Sequence, residues 1–225
     1  MMSKERYAQI ADRYDRIFTT QRWWNKLVWG FQDTAYTGKL LSLLPDDFSG
    51  KLLDIPAGTA LFTKEKYARM SNAEIICMDY SAAMMENARR KFSGGEFQHV
   101  TCMQGDVGNL PFADSAFDMV LSMNGFHAFP DREAAFRETE RVLKRGGMFV
   151  GCCYVEGERK RTDCFVKYFY TPMGWFTPPF QRKEDLLSSL QKRYESVNLW
   201  NTGSIVCFQG IKKQAGERTI TKKQN

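Results

Sequence analysis

The sequence predicts a doubly wound α/β sheet, and three observations carry that expectation. From about residue 50 onward, short apolar runs such as "KLLDI", "AEIICMDY" and "AFDMVLSMN" alternate with amphipathic stretches such as "SAAMMENARRKF" and "DREAAFRETERVLK". Strands that read apolar throughout belong to a parallel sheet covered on both faces. Two last strand-like runs, "ESVNLWN" and "SIVCFQGIKK", meet at a Thr-Gly turn and predict a closing antiparallel hairpin.

Taken in order, the elements give one domain of 225 residues with a single sizeable core and seven strands. Residues 1–48 read as a helical cap, with Trp23, Trp24, Leu27, Val28 and Phe31 at helical spacing. Residues 49–155 hold the alternating core: strand "KLLDI", helix "TKEKYARM", strand "AEIICMDY", helix "SAAMMENARRKF", strands "FQHVTCMQGD" and "AFDMVLSMN", helix "DREAAFRETERVLK", strand "GMFVGCCYV". Residues 156–192 form an aromatic, proline-interrupted lid, "FVKYFYTPMGWFTPPF", followed by a helix "RKEDLLSSLQKRY". The hairpin occupies 193–211, and 212–225 is a polar, basic tail.

Composition narrows the function classes. The amino end "MMSKERYAQIADRYDRIF" is charged and lacks the apolar centre of a signal peptide, and no later run is long and apolar enough to cross a bilayer. A soluble, cytoplasmic protein is expected. The six cysteines fall mostly in strand-like runs with no C-x-x-C pair, which predicts reduced, buried thiols and no metal site. Adjacent Cys152 and Cys153 point to opposite faces of a strand and are poor joint ligands. The net charge is +6, yet the last fifteen residues hold five Lys/Arg against one Glu. The excess belongs to a solvated tail, so nucleic acid is not the expected partner.

Three strand ends carry chemistry. Ligands of open α/β sheets sit at the carboxyl ends of the strands, near the point where strand order reverses. Asp54 ends the first strand, Asp79 the second and Asp106 the third. An acid at the end of the second strand, 25 positions after the first, can accept both hydroxyls of a ribose. The turn between the first strand and its helix, Ile55-Pro56-Ala57-Gly58-Thr59-Ala60, has one glycine where pyrophosphate-binding loops have three.

"LLDIPAGTA", "ICMDYSAAMMENAR", "QGDVGNLPFADSAFDMVLSMNGFH" and "ETERVLKRGGMFV" together resemble the successive motifs of class I S-adenosylmethionine-dependent methyltransferases, in particular the small-molecule branch of ubiquinone and menaquinone biosynthesis. "AQIADRYD" is similar to the amino end of that branch. The resemblance implies a Rossmann-like sheet, S-adenosylmethionine as cofactor and S-adenosylhomocysteine as product. It implies that Asp54 and the turn Pro56, Ala57, Gly58 and Thr59 hold the methionine part. Asp79 takes the ribose diol, with Tyr80 and Met84 along the adenine; Asp106 accepts from the adenine amine, and Val107 covers the ring. Asn124 and Gly125 border the sulfonium, and "RVLKRGGMFV" is a helix ending at a Gly-Gly turn.

The departures of the turn fit that cofactor. It has no phosphate, and its ammonium needs acceptors. Pro56 removes an N–H but keeps its C=O, and Ala60 adds one methyl where the helix is expected to begin. A dinucleotide, and with it a dehydrogenase, is served less well.

His127, in "NGFHAF" beyond the fourth strand, is the expected general base if the acceptor must lose a proton; the alternative is a histidine lining the pocket or bonded to backbone. The resemblance suggests that Tyr14 closes over the cofactor, against a plain packing role. His99 is given none. The aromatic cap (Trp23, Trp24, Trp29, Phe31) and lid (Phe165, Tyr168, Phe169, Tyr170, Trp175, Phe176, Phe180) suggest a small apolar or planar methyl acceptor. The rivals are an RNA or protein methyltransferase and a non-catalytic cofactor-binding regulatory module. Against nucleic acid, the fourth strand ends "SMNGFHAF" without an Asn- or Asp-Pro-Pro-aromatic motif, "TPPF" at 177–180 follows the fifth strand, and no Pro-Cys occurs. Nothing in the sequence fixes the oligomeric state.

Overall fold

A computed structural model of the chain describes residues 27–30 and 34–214. The elements run α1 (Thr34–Leu41), β1 (Lys51–Asp54), α2 (Lys64–Arg69), β2 (Glu74–Asp79), α3 (Ala82–Lys91), β3 (Val100–Gln104), β4 (Phe117–Met123), α4 (Arg132–Val142) and β5 (Leu143–Tyr154). They continue through α5 (Lys160–Phe165), a π-helical turn Val166–Tyr170, α6 (Lys183–Arg193), β6 (Tyr194–Thr202) and β7 (Ile205–Lys212). Trp23, Trp24, Phe31, Tyr14 and the end of the basic tail lie outside the described residues.

The seven strands form one sheet in the order β3-β2-β1-β4-β5-β7-β6. β1 pairs in parallel with β2 and β4, β2 with β3, and β4 with β5; β7 is antiparallel to both β5 and β6. Strand order reverses at β1 and β4, so their carboxyl ends open a crevice at the place where such sheets hold ligands. The doubly wound sheet with its closing hairpin matches the sequence expectation.

Alternation along the strands builds two cores. Leu52, Leu121, Cys152 and Cys207 face one side with Tyr36, Leu40, Tyr67 and Met85. Leu53, Val120, Cys153 and Val206 face the other with Phe136, Phe149, Leu186 and Leu190. Both faces are covered, which is why these strands read as continuous apolar runs. Cys152 and Cys153 point to opposite sides as expected, and Cys77, Cys152, Cys153 and Cys207 are free and buried.

Several elements end elsewhere than the sequence suggested. Asp131 caps α4 by accepting from the Ala134 amide at 2.9 Å, but the helix stops at Val142 because Leu143 already pairs with Phe117. The glycines therefore lie inside β5, where Gly146 supplies a left-handed bend (φ 70°), rather than in a helix-to-strand turn. β3 ends at Gln104, which leaves Asp106 two residues beyond the strand. The aromatic segment is partly helical: α5 widens into a π turn in which the Thr171 amide donates to the Val166 carbonyl at 2.9 Å. Among the described residues no helix is long and apolar enough to cross a membrane.

Candidate active site

The β1 turn is stitched to both neighbouring strands. The Ile55 amide donates to Leu121 of β4 at 2.9 Å, and the Ala57 amide to Met78 of β2 at 2.9 Å. Gly58 then takes a left-handed conformation (φ 55°) and donates to Asp79 Oδ2 at 2.9 Å. A Cβ at Gly58 would meet no protein atom within 4 Å. Glycine here serves the backbone conformation and faces open space. Ala60 is also left-handed (φ 57°) and is buried, at a cost of about 1–2 kcal/mol for a residue with a Cβ. It does not start the helix as expected, since α2 begins at Lys64.

Asp54 closes β1 with only 1% of its surface exposed. Its Oδ2 accepts from the Tyr67 hydroxyl at 2.8 Å, while Oδ1 has no hydrogen-bond partner among the described residues. Burial pushes the Asp54 pKa from 3.8 up to about 7; the Tyr67 hydroxyl opposes the rise and the nearby Asp79 charge adds to it. The Thr63 hydroxyl, also buried, favours the anion from nearby without closing a hydrogen bond.

Asp79, half-buried at the end of β2, accepts from the Gly58 amide through Oδ2 and from the Ser81 amide through Oδ1 at 2.9 Å. Burial raises its pKa against those two backbone donors. Ser81 caps α3, accepting from the Met84 amide at 3.3 Å; this buries Met84 in the first turn and leaves Tyr80 exposed. Asp106 is exposed and folds a local turn, its Oδ1 accepting from the Gly108 amide at 2.8 Å, with Val107 half-buried between them. The Gly105 amide donates to the Asp79 carbonyl at 3.0 Å and so holds the Asp106 loop beside β2.

On the β4 side, Asn124 is left-handed (φ 57°), a conformation asparagine tolerates. Its amide donates to the Cys152 carbonyl at 2.8 Å and its Nδ2 to the Tyr36 hydroxyl at 3.1 Å. Gly125 packs on the Pro56 ring so closely that a Cβ would come within 2.2 Å of Pro56 Cδ. The β1 and β4 loops therefore fit together through one proline and one glycine. His127 is buried, and its Nδ1 accepts from the Tyr154 amide at 3.2 Å. In that tautomer Nε2 carries the proton. Burial, with Arg132 adding, pushes the His127 pKa down to about 3, so the ring is neutral. It stacks on Phe176 with centroids 4.1 Å apart, beside Tyr154, Trp29 and Tyr170.

Residues 53–151 match the family described as "Methyltransferase domain". The demethylmenaquinone methyltransferase of Thermobifida fusca is 33% identical over 200 residues, which are 86% of this chain and 78% of that protein. The chain belongs to the class I S-adenosylmethionine-dependent methyltransferases. The demethylmenaquinone methyltransferase of Thermotoga maritima is 32% identical over 164 residues, 73% of this chain and 66% of that protein. A solved S-adenosylmethionine-dependent methyltransferase of Thermotoga maritima shares the fold, with a TM-score of 0.68 at 22% identity over 93% of this chain and 99% of that one.

The methyltransferase cofactor fits what these residues offer. Asp54, where the turn begins, has a buried carboxylate oxygen with no hydrogen-bond partner among the described residues, which suits a cationic ammonium such as S-adenosylmethionine carries, and Gly58 leaves the adjoining space open. The sequence reading missed the groups that hold these acids. Tyr67 carries the phenol that caps Asp54, and its carbonyl is bonded to His99 Nε2 at 3.0 Å, which gives His99 a structural task. Lys91 donates to the Thr59 carbonyl at 2.8 Å and secures the turn from α3. Tyr67 lies three places into a short amphipathic helix; only its alignment with the end of β1 marks it, and that needs the fold.

The raised Asp54 pKa has a defined sign. A carboxyl that binds its proton more tightly in the folded state contributes stability that is full below pH 3.8 and lost as pH rises to about 7. At about 1.4 kcal/mol per unit, the contribution is on the order of 4 kcal/mol. In urea unfolding of the cofactor-free protein, the stability of wild type relative to Asp54→Asn falls by that order between pH 4 and pH 8. Parallel curves for the two proteins would show that Asp54 is not desolvated.

Proposed function

We propose that this methyltransferase acts on a small apolar or planar metabolite, by in-line displacement at the cofactor's methyl group. The carrying observation is the aromatic wall fixed over the end of β4. Phe176 stacks between His127 and Tyr170, Trp29 lies parallel to Tyr170 at 6.0 Å, and Trp175 parallel to it on the lid at 5.6 Å. The lid is pinned there: Thr177 donates its amide to the His127 carbonyl at 3.0 Å and its hydroxyl to the Ala128 carbonyl at 2.8 Å. Flat side chains around a flat ligand exclude water and select by shape. The curated relatives are named for demethylmenaquinone, which supports an acceptor with a quinone-like ring.

In this reading Asp54 would hold the cofactor's ammonium through Oδ1, and Asp79 its ribose hydroxyls while remaining tied to Gly58 and Ser81. Met84, Tyr80 and Val107 would flank the adenine, with Asp106 at its amine. Asn124 and Gly125 would border the reacting centre. The cofactor supplies an already activated methyl group on a positively charged sulfur. What remains for the protein is to exclude water and to align the acceptor, which contributes on the order of 7–11 kcal/mol.

His127 enters as part of the acceptor wall, because the nitrogen that a base would use already accepts the Tyr154 amide. Removing a proton through it would require breaking that bond. The "TPPF" segment also argues against a nucleic-acid base as acceptor. It docks beside the β4 loop, but Arg132 donates to the carbonyls of Thr177 and Pro179, so these carbonyls are engaged by the protein itself.

Incubation with methyl-labelled S-adenosylmethionine and separated cell fractions tests the acceptor class. Label is expected in the organic-extractable metabolites; label confined to RNA or protein would overturn the reading, and label in no fraction would favour a regulatory module. The His127→Asn variant is expected to keep both limbs of the wild-type pH profile of kcat. A limb that vanishes in the variant would return the role of base to His127.

A further inference from the structure

Four large apolar side chains are exposed among the described residues, and three of them lie within six positions: Tyr168 (62%), Phe169 (51%) and Met173 (48%). Single exposed apolar residues are ordinary, but a contiguous group marks a surface that meets something. Tyr168 and Phe169 lie in the π turn that continues α5, and Met173 in the turn that follows it. The inner face is anchored: Thr162 donates to the Val28 carbonyl at 2.7 Å, Val166 is buried, and Tyr170 stacks on Trp29 and Trp175. The protrusion is therefore held rigidly, with its aromatic tips outward.

Between Lys160 and Met173 the exposed charged side chains have one sign. Lys160, Arg161 and Lys167 are exposed in the same segment as the three apolar residues, and Lys167 lies 5.5 Å over the Tyr168 ring. The one carboxylate between Lys160 and Met173, Asp163, is half-buried and accepts from the Tyr154 hydroxyl at 2.7 Å and the Gly157 amide at 3.1 Å. Aromatic side chains interleaved with exposed cations on a short helical ridge are the composition of an element that lies in the headgroup layer of an anionic bilayer. A protein-binding centre would instead be depleted of lysine.

We propose that the ridge from Lys160 to Met173 docks the enzyme onto anionic membrane surfaces. Tyr168, Phe169 and Met173 enter the headgroup boundary, and the three cations pair with lipid phosphates. The far side of the same segment carries the aromatic wall of the lid, so docking holds the lid next to the membrane surface. The binding is read without cofactor or acceptor and is independent of the acceptor proposed above.

Flotation of the full chain with phosphatidylcholine vesicles, with and without phosphatidylglycerol, tests it. Wild type is expected to float with the anionic vesicles only. The triple variant Tyr168→Ser, Phe169→Ser, Met173→Ser is expected to lose binding by roughly tenfold or more, while its melting temperature still rises with S-adenosylhomocysteine as in wild type. The variant Lys160→Gln, Lys167→Gln is expected to lose binding comparably. Undiminished flotation of the triple variant would assign the attraction to the basic tail and overturn the proposal. So would equal flotation with neutral vesicles, no flotation of wild type, or a wild-type dimer in light scattering that the triple variant loses.

Discussion

The site is organised around a carboxylate that the fold has taken out of water. Asp54 lies at the end of a central strand, with neighbours on both sides and a helical layer above, so it cannot be solvated. One oxygen is satisfied by Tyr67, and the other has no hydrogen-bond partner among the described residues. An unpaired buried anion is costly, and the protein meets that cost by binding a proton more tightly. A cationic ligand group can take the proton's place. The remaining contacts keep this geometry in position: His99, just before β3, which bonds the carbonyl of Tyr67 in α2, Lys91 from α3, and Gly58, which ties the Asp54 turn to Asp79.

The second half of the site depends on close packing between loops. Gly125 lets the β4 loop lie on Pro56, and from there the chain turns to place His127 against Tyr154 and Phe176. Pro56, which first looks like damage to a nucleotide-binding loop, gives up an amide that no phosphate needs and offers a ring for Gly125 to pack on. The aromatic cluster is fastened over the β4 loop by Thr177 and Arg132, and the segment that carries it exposes Tyr168, Phe169 and Met173 on its outer side.

Much of the fold was legible because its signals are local. Strand alternation, the turn at Gly203 and the acids at the ends of β1 and β2 follow from short-range pattern, and the sheet order then brings Asp54 and Asp79 together. What was not legible depends on partners far away in sequence. The end of α4 at Val142 is set by pairing with Phe117, which outweighs a helix-forming Leu-Lys pair. The Tyr67 phenol and the His127 lone pair are assigned by contacts with Asp54 and Tyr154 that no periodicity records. Ala60 misled for a related reason: its left-handed backbone delays the helix to Lys64.

If Asp54 is the buried acid that receives the cofactor's ammonium, binding must change its protonation. Calorimetry of S-adenosylhomocysteine binding at pH 7, in buffers of different ionisation enthalpy, counts the protons exchanged. With a free-state pKa of about 7, wild type should release about half a proton more than Asp54→Asn. Equal proton counts for the two proteins would contradict the account, because the carboxylate at the end of β1 would then be no part of the cofactor's site.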